Sequence, residues 1–139
     1  MRLQTSTDCA IRILQYLHEH RRGGLHSAVR ITEQIGIAYP FFTKVANQLK
    51  RHGLLTSVQG RNGGYHLGKS AHEISLYDVF LCIEGELLLN RCLNGHPCTR
   101  GEHKDCKLHS VLHGLQGRVI AELSGQTIAD LVDESLASA

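Results

Sequence analysis

Apolar residues in the first fifty positions recur at helical spacing. Ala10, Ile13, Leu14 and Leu17 stand at i, i+3, i+4 and i+7, which predicts an amphipathic helix. Thr5, Ser6 and Thr7 offer its cap, and Asp8 suits a first turn, where the helix dipole favours negative charge. Gly23-Gly24 is expected to end it. A second helix is expected after Ser27, burying Ala28, Ile31 and Ile35, with Gly36 turning the chain. Pro40 suits the first position of a third helix, because that position needs no backbone donor. Phe42, Val45, Ala46 and Leu49 form its apolar stripe, and Gly53 closes it.

The outer face of the third helix then carries Tyr39, Pro40, Phe41, Thr43, Lys44, Gln48 and Arg51. Helix, short turn, helix is the arrangement whose second member enters a DNA major groove. Beyond it the pattern changes to two short strand-like runs, Leu55 to Val58 and Tyr65 to Leu67. The glycine-rich QGRNGG between them contains Asn-Gly, a hairpin signal. A hairpin directly after a helix-turn-helix reads as a wing, with Gln59, Arg61 and Asn62 at its tip. Arg61 can there reach a phosphate or a minor groove.

Helical spacing resumes with Leu76, Val79, Phe80 and Ile83, started by Ser75 with Asp78 three residues on as a capping box. A final stripe of Leu108, Val111, Leu112, Leu115, Val119, Ile120 and Leu123 crosses four turns. So small a chain has little left to cover it, so a second copy of the same helix is expected there. Gly125 ends that helix, and Ile128, Leu131 and Val132 predict a last short one.

Between the last two long stripes lies Arg91 to His109, RCLNGHPCTRGEHKDCKLH, which is polar and aperiodic and reads as a loop. It holds Cys92, Cys98 and Cys106, separated by five and seven residues, and His109 follows one helical turn later. Zinc sites usually pair their cysteines two to four residues apart, and no such knuckle is present. Wider gaps suit an iron–sulfur cluster; zinc and a redox switch remain open on spacing alone. Cys9 and Cys82 stand among apolar neighbours and read as buried small hydrophobes.

Net charge is only +2, but Lys44, Lys50, Arg51, Arg61 and Lys69 gather in the helix-turn-helix region, while the C-terminal end is acidic. The head can face phosphates and the tail need not. No apolar run approaches a membrane span and no secretory signal core opens the chain, so a cytoplasmic location is expected. Clustered thiols in a reducing compartment favour a metal or redox site over disulfides. No P-loop, dinucleotide fingerprint or serine-nucleophile elbow is present. A cysteine–histidine pair without a positioned base and oxyanion donors does not make an enzyme.

Over nearly its whole length the chain resembles the Rrf-two type of bacterial winged-helix regulators. The resemblance is carried by the opening MRL, TDCAIRIL, GRNGGYHLGK after LLTSVQ, EISLYDV, the three-cysteine loop and TIADLVDE. It implies a homodimer with one iron–sulfur cluster per subunit, binding palindromic promoter DNA under control of the cluster's state. It places the ligands at Cys92, Cys98 and Cys106, with a four-iron cluster favoured and a two-iron cluster possible. Asp8 matches an aspartate that in NsrR-type members reaches the cluster across the dimer. His109 matches the histidine that completes it in IscR-type members. The recognition helix maps onto Tyr39 to Arg51 and the wing onto Gln59 to Gly64, and Ser27 joins the DNA-contact set. Gln59 stands where many relatives carry arginine.

The expected architecture is therefore mainly α with a small β-hairpin wing. Residues 1–84 form a winged helix-turn-helix head, 85–106 a cluster-binding loop, and 107–139 a dimerisation helix with a tail. The expected function is a nitric-oxide-responsive, cluster-dependent repressor. The alternatives are a sensor of iron or cluster status, as in IscR and RirA, or a cluster-free winged-helix repressor.

Overall fold

The computed structural model describes residues 2–96 and 106–132 of the chain. Its long helices are α1 (Thr5–Glu19), α2 (Ala28–Ile35), α3 (Tyr39–Arg51), α4 (Leu76–Glu84) and α5 (Lys107–Ser124). An antiparallel hairpin of β1 (Leu55–Val58) and β2 (Gly64–Leu67) separates α3 from α4. None of the described helices is long and apolar enough to cross a membrane.

The stripe read from the sequence puts α1 at the centre. Ala10, Ile13, Leu14 and Leu17 are buried and meet Ile31 of α2 and Phe42, Val45, Ala46 and Leu49 of α3. Two boundaries of α1 differ from expectation. Its N-cap is Gln4, with no side-chain hydrogen bond, so Thr5 to Thr7 form the first turn. The Thr7 hydroxyl is taken by another helix instead, giving its hydrogen to Glu84 Oε2 of α4. At the other end α1 stops at Glu19, and Arg21–Gly23 form a 3-10 turn before Gly24, at φ +77°, redirects the chain.

Local chemistry starts and stops the next elements as expected. Ser27 caps α2, accepting from the Arg30 N–H, and Gly36 ends it in the left-handed region at φ +70°. The last turn of α3 is closed by Leu54 N–H on Leu49 O and Gly53 N–H on Lys50 O, the paired bonds of a Schellman motif. The Ser75–Asp78 capping box opens α4.

In the hairpin, Leu55 pairs with Leu67 and Val58 with Gly64. Five residues connect the strands, Gln59 to Gly63. The Asn-Gly pair does not form a left-handed two-residue turn, because Asn62 keeps a negative φ. The Gly63 N–H instead bonds Gly60 O, with Arg61 and Asn62 at the turn's centre. His26 adds a third rung, exchanging both backbone hydrogen bonds with Tyr65.

The described tail returns to the head. Ile128 N–H bonds Ile74 O, Leu76 N–H bonds Gln126 O, and Ile128 is fully buried in the same core as α1. The expected last helix is a 3-10 turn, Ala129–Leu131, in which Leu131 stays exposed while Ala129 and the following Val132 are buried.

Candidate nucleic-acid interface and thiol site

The outer face of α3 is open. Tyr39 is 54% exposed, Pro40, Lys44 and Arg51 are exposed, and Phe41 and Thr43 are half-buried. Arg12 of α1 donates to Ile35 O at the end of α2 and so braces the first helix of the pair. The Ser27 side chain is exposed as well as capping. At the wing tip Gln59, Arg61 and Asn62 are all exposed. Close backbone approaches shape the wing. A Cβ on Gly63 would lie 2.0 Å from Val58 O, and one on Gly68 2.1 Å from Gly53 O.

Gln48 departs from its expected place on that face. It is half-buried, and its Oε1 is buried with no hydrogen-bond partner. Its backbone carbonyl meets Cys82 Sγ at 3.3 Å. Cys82 is buried as expected but has polar partners, since its Sγ also lies 3.3 Å from His52 Nδ1. Sequence spacing could not show this, because the partners belong to different helices.

Local hydrogen bonds hold both described ends of the thiol segment. Asn90 accepts from the Arg91 N–H and starts a 3-10 turn at Arg91–Asn94, where a plain loop was expected. Gly95 then turns the chain at φ +74°. Cys106 is the N-cap of α5, its Sγ accepting from the His109 N–H at 3.4 Å. His109 Nδ1 lies 3.4 Å from Cys92 Sγ. Leu89 N–H bonds Gln116 Oε1 and ties the approach to the segment against α5.

Cys92, Cys106 and His109, seventeen residues apart at their extremes, are thus brought to the start of α5. Cys98 lies outside the described residues. Asp8 is exposed in the first turn of α1, on a separate element. Among the described residues no three His, Cys, Asp or Glu side chains are arranged to hold a metal ion. Soft sulfur and imidazole donors are nonetheless the kind iron and zinc accept. Burial pushes the Cys9 and Cys82 thiols up to about 11, so at neutral pH both keep their protons.

No residue of α5 is fully buried; Val111 is 62%, Leu115 43% and Leu108 39% exposed. The fold, with its open α3 face and wing, agrees with three comparisons. The sequence matches the family described as "Rrf2: Iron-dependent Transcriptional regulator" over residues 3–134. It is 33% identical over 132 residues to the HTH-type transcriptional regulator NsrR of Shouchella clausii (strain KSM-K16), covering 95% of this chain and 89% of that protein. The fold is shared with CymR (YrzC), the global cysteine regulator of B. subtilis, at a TM-score of 0.77, 21% identity and coverage of 94% and 95%. It is shared also with T. potens IscR, at a TM-score of 0.71, 23% identity and coverage of 94% and 85%. The chain belongs to the Rrf2 family of transcriptional regulators, DNA-binding proteins rather than enzymes.

Proposed function

We propose that the protein is an NsrR-like repressor that holds an iron–sulfur cluster, responds to nitric oxide, and binds palindromic promoter DNA as a homodimer. The meeting of Cys92, Cys106 and His109 at the start of α5 carries this reading. Cys92, Cys98 and Cys106 would be the sulfur ligands, with four iron atoms favoured over two. His109 competes for the remaining position with Asp8, which would serve across the dimer. When bound, such a cluster supplies iron whose ligation changes on reaction with nitric oxide.

The chain's own residues relate that site to DNA. Cys92 lies in the 3-10 turn after α4 and Cys106 caps α5, so both thiols belong to the segment joining these helices. Thr7 bonds Glu84 near the C-terminus of α4, and Thr7 neighbours Asp8. A change in the spacing of the ligands therefore bears on both α4 and α1, which pack against α3. The exposed stripe of α5 supplies the self-complementary surface of a two-fold dimer. Two heads related by that axis would read two half-sites, with Ser27, Tyr39, Pro40, Phe41, Thr43, Lys44 and Arg51 over the major groove. Gln59, Arg61 and Asn62 would contact DNA from the wing. Gln48 would need its side chain turned outward to join them.

The test is the visible spectrum of anaerobically purified protein, wild type against Asp8→Ala and His109→Ala, with promoter binding measured before and after stoichiometric nitric oxide. A cluster chromophore, altered by one of the two substitutions, and weakened binding after nitric oxide are expected. No chromophore would leave a cluster-free winged-helix repressor or, if zinc is found, a zinc protein. A chromophore with binding indifferent to nitric oxide would point to an iron or cluster-status sensor.

A further inference from the structure

One polar tie crosses the contact between α3 and α4. Cys82 of α4 is 6% exposed, with Sγ 3.3 Å from Gln48 O and 3.3 Å from His52 Nδ1. His52 Nδ1 lies 3.0 Å from the same carbonyl. Gln48 belongs to the last turn of α3, where carbonyls run out of helical partners. The amides of Leu54 and Gly53 take the next two, Leu49 O and Lys50 O. Gln48 O meets the thiol and the imidazole. Among the described residues no other side-chain hydrogen bond joins α3 to α4.

Burial pushes the thiol up to about 11, against a smaller opposite pull from Arg51. At neutral pH the sulfur therefore keeps its proton and acts as a donor, not a nucleophile. The carbonyl it meets lies between Lys44 and Arg51 along α3, on the turn that carries the last outward side chains.

We propose that Cys82 is a positioning residue for DNA recognition: its S–H, given to Gln48 O beside His52, sets how the C-terminal turn of α3 lies on α4. Cys82 touches no DNA and acts through the Gln48 backbone. The proposal rests on α3 being the recognition helix, and it does not depend on a cluster.

The probe is a duplex that the wild-type protein enriches from a random-sequence pool, compared with an unselected duplex of equal length. Cys82→Val keeps a small apolar side chain without the donor, and Cys82→Ser restores a donor. Cys82→Val is expected to weaken selected-duplex binding about fivefold, within the range of one neutral hydrogen bond, and to leave unselected binding unchanged. Cys82→Ser is expected to stay within about twofold of wild type, since its hydroxyl replaces the thiol donor. Selected binding unchanged in Cys82→Val overturns the proposal. So does equal loss on both duplexes, or a folded Cys82→Ser as weak as Cys82→Val.

Infrared difference spectra, wild type minus Cys82→Ser, give a second measure should the valine variant not fold. An S–H band lowered by hydrogen bonding is expected, and one at the free-thiol frequency overturns the tie. Thr43→Ala and Lys44→Ala separate this proposal from its parent. If neither weakens selected binding, α3 is not the recognition helix and both readings fall. If they weaken it and Cys82→Val does not, Cys82 alone is dismissed.

Discussion

Thr7→Val removes one hydroxyl from the interior and keeps the side-chain shape. Thr7 is 1% exposed and donates to Glu84 Oε2 at 2.6 Å. Hydrogen bonds to charged groups contribute about 1.5–3 kcal/mol, and the half-buried Glu84 keeps some access to water. The loss is therefore placed near the lower end, about 1.5 kcal/mol. With a urea slope of about 2 kcal/mol/M, the unfolding midpoint falls by about 0.7 M. The double variant Thr7→Val/Glu84→Met recovers at least about half of that, because no carboxylate is left stranded. The assay is urea unfolding followed by far-UV circular dichroism, with one protein concentration throughout so that self-association cannot shift the comparison. A Thr7→Val midpoint within about 0.2 M of wild type, the scale of the measurement's own error, refutes the reasoning. A double variant that loses the sum of the two single changes refutes it equally.

Gly68→Ala drives a Cβ to 2.1 Å from Gly53 O, and backbone cannot yield as a flexible side chain does; a loss of about 1–3 kcal/mol is expected in thermal unfolding, and an unchanged melting temperature rejects the close approach. The Asp130 carboxyl is held below its ordinary 3.8 first by the Thr127 backbone N–H and then by the Thr127 side chain. Its contribution is therefore present above the unfolded value and lost as pH falls through the lower folded one. The melting difference between wild type and Asp130→Asn should be full at neutral pH and shrink as pH falls below the ordinary carboxylate value; a difference constant across that acid range contradicts the bond. Arg61→Ala should lower the slope of log affinity against log salt by about 0.9, one phosphate's worth, and an unchanged slope removes Arg61 from the phosphate contacts.

Much of the head could be read from spacing because the signals are local. The stripe of α1, the Phe42, Val45, Ala46 and Leu49 face of α3, and the Ser75–Asp78 box each depend on residues within a few turns of one another. The hairpin is legible from its glycine-rich, Asn-Gly-containing link, but the turn's geometry is not: five residues join the strands, and Gly63 and Gly68 pass close to backbone. Thr5 to Thr7 read as caps because threonine often serves there. The helix starts one residue earlier, with Gln4 as its N-cap, and tertiary packing directs the Thr7 hydroxyl to Glu84 instead. The α5 stripe is legible as apolar, and with Leu108, Val111 and Leu115 exposed and Leu112, Val119, Ile120 and Leu123 half-buried, the described chain covers it only in part.

By itself the sequence determined the order of helices, the hairpin after the third, the clustering of thiols, and the resemblance to a family of winged-helix regulators. Periodicity and short motifs write these within one element at a time. Only the tertiary structure decided which polar groups meet. Thr7 reaches Glu84 across 77 positions, Cys82 reaches Gln48 across 34, and His109 reaches Cys92 across 17. No local spacing encodes such pairs. They exist because burying the apolar stripes fixes the helices against one another, and each buried donor must then bond whatever acceptor that packing has placed beside it.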